Sequence, residues 1–164
     1  MKKLPKRLQV IADFINEGAR VADIGTDHGY LPVFLALTNH ASRIIASDIS
    51  AGSLGAARRS ADKYNVSEKI NFVNAPGLTG INENEVDTIV IAGVGGETII
   101  EILEETQWTK NGKRLILQPQ TKREVLCDYL GENGYIICEV KTVKDRGRDY
   151  FIMIAQGEQK DDNG

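Results

Sequence analysis

Three carboxylates stand out because each belongs to a short apolar run that ends in a turn. Val21-Ala22-Asp23-Ile24-Gly25-Thr26-Asp27-His28-Gly29-Tyr30-Leu31-Pro32 sets Asp23 and Asp27 on either side of a glycine, and Asp48 closes the run from Arg43 to Ser47. Gly25 and Gly29 let the backbone turn tightly and come close to a ligand. A dinucleotide fingerprint needs a third glycine, in the pattern G-x-G-x-x-G, and holds a pyrophosphate at a helix start. This loop lacks that glycine, and its two acids would repel a pyrophosphate. They suit a cationic ligand.

An acid at the end of the second strand can accept both hydroxyls of a ribose. S-adenosylmethionine (SAM) combines that ribose with an ammonium and a sulfonium, and its carboxylate can use the helix N-terminus. NAD carries the same ribose, so Asp48 alone does not separate the two; the acidic loop does. Each acid also has a structural reading, Asp23 as a turn cap and Asp48 as a cap of the next helix. Further on, Ile91-Ala92-Gly93-Val94-Gly95-Gly96 offers exposed backbone donors and room for a flat group. Gln118, in Leu117-Gln118-Pro119-Gln120, either meets a base edge or holds its own loop. Tyr30 either stacks on a base or packs into its helix, and His28 lies in the same candidate site. Trp108 reads as packing and His40 as a surface residue. No Ser/His/Asp order, zinc-ligand spacing or P-loop occurs.

These residues need elements to place them. Leu4, Leu8, Ile11, Phe14 and Ile15 recur at helical spacing, with Gly18 as a stop. Strands are expected over 21–24, 43–47, 70–73, 87–92 and 114–117, and helices over 31–37, 51–64, 97–105 and 121–132. The nearly continuous apolar run at 87–92 suits a central parallel strand covered on both faces. Segments 135–143 and 150–155 read as a hairpin around a charged, glycine-containing turn. Strands alternating with helices imply an α/β fold, a doubly wound parallel sheet with right-handed crossovers, closed by an antiparallel hairpin. Ligands of such sheets sit at the carboxyl ends of the strands, beside strand one. All three acids fall there.

The chain has 164 residues, of which 41% are hydrophobic and 26% charged. That is one globular domain, able to bury about two-thirds of its unfolded surface. The domain is expected over 1–155, with a disordered polar tail at 156–164. No apolar run approaches the roughly 20 residues of a membrane span. Met1-Lys2-Lys3-Leu4-Pro5-Lys6-Arg7 is basic but leads into no apolar signal core. The two cysteines, Cys127 and Cys138, are too few for a disulfide framework. The expectation is a cytoplasmic protein with no membrane and no metal. A net charge of −3 excludes a protein that holds nucleic acid by bulk charge. Two basic clusters remain, Lys2, Lys3, Lys6 and Arg7, then Lys141, Lys144, Arg146 and Arg148. Each reads by itself as a solvated end or turn.

Taken in order, Arg7-Leu8 with Ile11-Ala12, the block Ala22 to Pro32, Ala46-Ser47-Asp48-Ile49, Ala92-Gly93-Val94-Gly95-Gly96 and Leu117-Gln118-Pro119 closely resemble the TrmK family. These are bacterial class I SAM-dependent tRNA (adenine(22)-N1) methyltransferases. The resemblance runs over about residues 4–155. It implies a Rossmann-like class I methyltransferase fold, with a seven-stranded mostly parallel sheet and an antiparallel C-terminal hairpin. It implies SAM as cofactor and tRNA as partner. By resemblance, Asp23 and Gly25 line the methionine side of the cofactor, Ile24 also belongs to the cofactor site, and Ala92 flanks the active site. Asp48 and Ile49 hold the ribose and its surroundings, and Ala75 and Pro76 take the adenine side. Asp27, His28, Tyr30 and Gly93 face the transferred methyl and the target adenine. The family usually reads G-D-G-L after strand three, where this chain has Ala75-Pro76-Gly77-Leu78, so Pro76 stands in place of the acid. Val94 replaces a usual Met and Gln120 a usual Asn. The family also carries a coiled-coil domain that helps grip tRNA, which this sequence is expected to lack. Two other readings fit the departures: a methyltransferase-like binding protein without catalysis, and methyl transfer to another RNA or a small molecule.

Overall fold

The structure is a computed structural model and describes residues 4–158. The elements run α1 (Lys6–Asp13), β1 (Arg20–Ile24), α2 (Tyr30–Leu37), β2 (Arg43–Asp48), α3 (Ala51–Lys63), β3 (Asn71–Asn74), β4 (Thr88–Val94), α4 (Gly96–Glu105), β5 (Arg114–Pro119), α5 (Arg123–Glu132), β6 (Tyr135–Asp145) and β7 (Arg148–Gly157).

One seven-stranded sheet has the order β3-β2-β1-β4-β5-β7-β6. The first five strands in that order are parallel, and β7 lies antiparallel between β5 and β6. The order reverses between β1 and β4, which opens a crevice at their carboxyl ends. Side chains alternate across the sheet. Val21, Ile44 and Val90 face the layer of α1, α2 and α3, while Ile45, Ile89 and Ile91 face α4 and α5. β4 is therefore apolar on both sides, and Ile89, Val90 and Ile91 are completely buried.

Two glycines are required by geometry. Gly29 starts α2 with φ 74°, and a Cβ on it would lie 2.8 Å from the Cβ of Ala57 on α3. Gly93 has φ 78° and sits where the β4–β5 register slips between Ala92 and Val94.

Three expectations shift. The hairpin is longer than expected, with only Arg146 and Gly147 between its strands, both at positive φ. That is the two-residue turn whose twist matches paired strands. β7 runs through Gly157, with Gln156 opposite both Arg114 and Ile136. Ladder pairing thus claims the start of the expected polar tail; residues 159–164 of that tail, and Lys2 and Lys3, lie outside the described residues. His40 is half-buried, and its Nε2 donates to the Ile15 carbonyl at 2.6 Å, tying the α1–β1 loop to the α2–β2 loop. Trp108 packs against the α4–α5 side of the core, as expected.

Candidate active site at the carboxyl edge of the sheet

The loops after β1, β2, β3, β4 and β5 enclose a cleft with two lobes, of about 480 and 240 Å³. Asp23, Asp27, His28, Tyr30, Ala92 and Gly93 line the larger lobe. Ile24, Ala75 and Pro76 line the smaller. Gly25, Asp48 and Ile49 border both. Every residue singled out from the sequence as a site candidate therefore reaches one continuous cleft.

Asp23 is the deepest acid, 7% exposed at the base of the β1 turn. Burial raises its pKa from 3.8 to about 7; Asp48 and Asp27 add to the rise, and the neighbouring Thr26 side chain offsets part of it. The Thr26 hydroxyl is itself buried with no well-formed hydrogen bond. Asp48 does not cap a helix: Ser50 caps α3, its Oγ accepting from the Ser53 amide. Asp48 Oδ1 instead accepts from the Ser50 amide at 2.9 Å and Oδ2 from the Asp27 amide at 3.2 Å. The Asn74 amide group donates to the carbonyls of Asp48 and Ile49, which fixes the β2 loop from the β3 side.

At the mouth, Asp27 adopts φ 56°, a left-handed conformation that Asp tolerates. Its side chain is 74% exposed, with His28 Nε2 at 3.9 Å. The His28 and Tyr30 rings lie 5.4 Å apart at 31°. Gln118 is buried and holds its own loop: Oε1 accepts from the Gly93 amide at 3.0 Å and Nε2 donates to the Pro119 carbonyl.

Sequence reasoning missed two walls. Pro5, Arg7 and Leu8 of the α1 region line the larger lobe. Thr98, Glu101, Ile102 and Glu105 of α4 line the smaller. Their signal was the spacing i, i+3, i+4, i+7, which gives one helix face, but nothing local says what that face meets. A groove of 580 Å³ at the opposite edge of the sheet is larger, yet it is an open hollow whose Lys69 is already bonded to Asn39. Asp23, Asp27 and Asp48 are all in the cleft.

The cleft fits SAM on its own chemistry. Clustered carboxylates call for a cation, and a buried hydroxyl lacks a partner. The smaller lobe is a largely apolar slot, between Ile49, Pro76 and Ile102, suited to a flat ring. No group of three or more metal-ligating side chains occurs among the described residues, and no helix there is long and apolar enough to cross a membrane.

A model of the methyltransferase domain matches residues 4–153. The tRNA (adenine(22)-N(1))-methyltransferase of Bacillus subtilis is 37% identical over 160 residues, 97% of this chain and 67% of that protein. The chain belongs to the TrmK family. The crystal structure of TrmK from Bacillus subtilis superposes with a TM-score of 0.90 at 35% identity, covering 96% of this chain and 68% of that one. A candidate tRNA (m1A22) methyltransferase of Streptococcus pneumoniae, solved in complex with SAM, gives 0.89 at 33% identity and covers 97% of this chain and 75% of that one. The shared fold is the seven-stranded TrmK sheet with its antiparallel hairpin. The cofactor of the TrmK fold is SAM.

Proposed function

We propose that this chain is a SAM-dependent methyltransferase that modifies N1 of an adenine in tRNA. The observation that carries the reading is the acid-lined, two-lobed cleft at the sheet's switch point, in a chain of the TrmK family. A tRNA substrate supports the cytoplasmic location expected from the sequence.

SAM supplies a methyl group activated by its sulfonium. Asp48 would hold the ribose hydroxyls. Asp23, Gly25 and Ala92 would surround the methionine end, with Asp23 ionised against the ammonium. Ile49, Ala75 and Pro76 would enclose the adenine ring, with Ile24 as its floor. Target N1 lies on the pairing edge of the base, so the nucleotide must leave its stack to reach the cleft. His28 and Tyr30 offer an aromatic platform for the extruded base. N1 already carries a lone pair, so no strong base is needed to make a nucleophile. Positive charge grows on the base as the methyl arrives, and the Asp27 carboxylate at the mouth stabilises it. Gly93, pinned by Gln118, leaves room for the two reactants to meet in line, and that positioning does most of the remaining work.

The test is methyl transfer from labelled SAM to transcribed tRNA, with the product located by nuclease digestion and mass spectrometry. N1-methyladenosine at one position, lost in Asp27→Asn, is expected. A protein that binds SAM at micromolar concentration yet labels no tRNA overturns the reading.

A further inference from the structure

Lys6 and Arg7, at the start of α1, meet the basic β6–β7 turn beside the cleft, although the two are remote in sequence. β5 pairs with β7 only over Met153 to Gln156, and Arg148 to Ile152 pair with β6 alone. β5 ends at Pro119, level with Phe151, so beyond that point the β6–β7 ribbon leaves the rest of the sheet and packs one face under α1, where Val143 is buried. At roughly 3.3 Å per residue this is about 10 Å of projecting arm. Its tip carries Lys144, Arg146 and Arg148, all exposed, with exposed Lys141 on the same strand as Lys144.

α1 braces this arm. The Arg7 amide donates to Asp145 Oδ2 at 3.4 Å, and the Arg7 guanidinium lies 4.0 Å from the same oxygen and 5.3 Å from the Tyr150 ring centroid. On the other face the guanidinium of Arg123, at the start of α5, stacks over Phe151 at 4.8 Å. Arg7 also lines the larger lobe, so the arm is fixed directly beside the cavity that receives the target base.

The charges have no internal use. Among the described residues the ion pairs are Arg7–Asp145, Arg20–Asp87, His28–Asp27 and Arg43–Glu85. Lys141, Lys144, Arg146 and Arg148 appear in none of them. Asp145, opposite Arg148 in the ladder, is occupied by Arg7, and Asp149, opposite Lys144, forms no ion pair with it. A chain of net charge −3 thus concentrates unpaired cations at one point, next to its cleft.

We propose that the projecting arm, with Lys6 and Arg7 at the start of α1, binds the phosphate backbone of the RNA and delivers the target nucleotide to the cleft. The inference rests on the proposed function. Backbone phosphates fit because the exposed cations surround the turn on both faces of the ribbon, Lys144 on one and Arg148 on the other, and phosphate contacts position a nucleic acid without reading its sequence.

The test is the triple variant Lys144→Gln, Arg146→Asn, Arg148→Gln; Asn keeps the left-handed turn position accessible. Binding to transcribed tRNA is followed by fluorescence anisotropy across a KCl series, and SAM binding by calorimetry. The expected result is tRNA affinity reduced about tenfold or more. The slope of log affinity against log salt becomes shallower by about 0.7 for each lost contact. KM for tRNA rises while kcat and SAM affinity stay within about twofold. A control removes the same charge at the far end of the sheet, with Arg43→Gln, Lys63→Gln and Lys69→Gln, and is expected to bind tRNA like the wild type. Unchanged affinity and salt slope in the arm variant, or an equal loss in the control, overturns the proposal. A wild type that binds tRNA through the arm but transfers no methyl group removes the enzymatic reading and leaves the arm standing.

Discussion

The backbone amide of Asp27 donates to Oδ2 of Asp48 at 3.2 Å, so one carboxylate joins the loop after β1 to the loop after β2. The other oxygen of Asp48 takes the Ser50 amide. The acid read as a ribose ligand is therefore also the clasp that sets the position of Asp27. Each of its oxygens has a second lone pair left for a hydroxyl.

Asp48→Ala is expected to abolish detectable SAM binding at micromolar cofactor in calorimetry. A lost hydrogen bond to a charged group is worth roughly 1.5–3 kcal/mol, and two hydroxyls give way together. Asp48→Asn is expected to retain part of the affinity, since one acceptor remains. Wild-type affinity in the alanine variant removes the ribose role.

Asp27→Asn separates binding from chemistry. Asn tolerates the left-handed backbone at this position, so the loop survives. The variant keeps SAM affinity within about threefold and loses kcat by roughly 10²-fold, the scale of a removed transition-state charge contact. Single-turnover kinetics on tRNA reads the difference.

Asp23 predicts two opposite pH trends. Its folded pKa of about 7 lies above the unfolded value of 3.8, so the folded state binds a proton that the unfolded state does not. That stabilisation is complete below pH 3.8 and is lost as the pH rises through 7. Between pH 8 and pH 6 the free protein gains roughly 1 kcal/mol from this group. Thermal melts are expected to show a Tm higher by about 2–4 °C at pH 6, a difference absent in Asp23→Asn. SAM binding runs the other way, because its ammonium favours the ionised acid. Affinity falls toward tenfold per pH unit below about 7, with proton uptake by the buffer visible in the calorimetric enthalpy.

Pro76 supplies no side-chain acceptor to the smaller lobe. Pro76→Asp restores the acid of the related pattern and is expected to tighten SAM binding by about tenfold or more. The Pro76 carbonyl, which accepts from Thr79, is unaffected by the change. Equal affinity in the two proteins locates the adenine contact elsewhere on the wall.

What the sequence disclosed follows the range of its forces. Strand β4 was legible because burial on both faces demands an unbroken apolar run, and the β1 loop because its acids and glycines are consecutive. What Asp48 and Gln118 hold is set by neighbours distant in sequence: the Asp27 amide for one, the Gly93 amide for the other. The α4 wall of the smaller lobe was illegible for the same reason. Glu101 and Glu105 are ordinary solvated residues of an amphipathic helix until Pro76 and Ile49 are placed opposite them. The true extent of β7 was hidden because Gln156 and Gly157 are poor strand formers, held there by pairing, Gln156 on both sides and Gly157 with Tyr135.

The contact between Arg7 and Asp145 spans 138 residues of sequence. On the ribosome α1 emerges well before the hairpin that braces it. Until then the helix wall of the larger lobe has no anchor on that side. Closing so long a loop comes late in folding. A nascent chain can assemble the β1 to β5 core and still lack a finished mouth. The capacity to receive RNA is thereby deferred until synthesis of the domain is nearly complete.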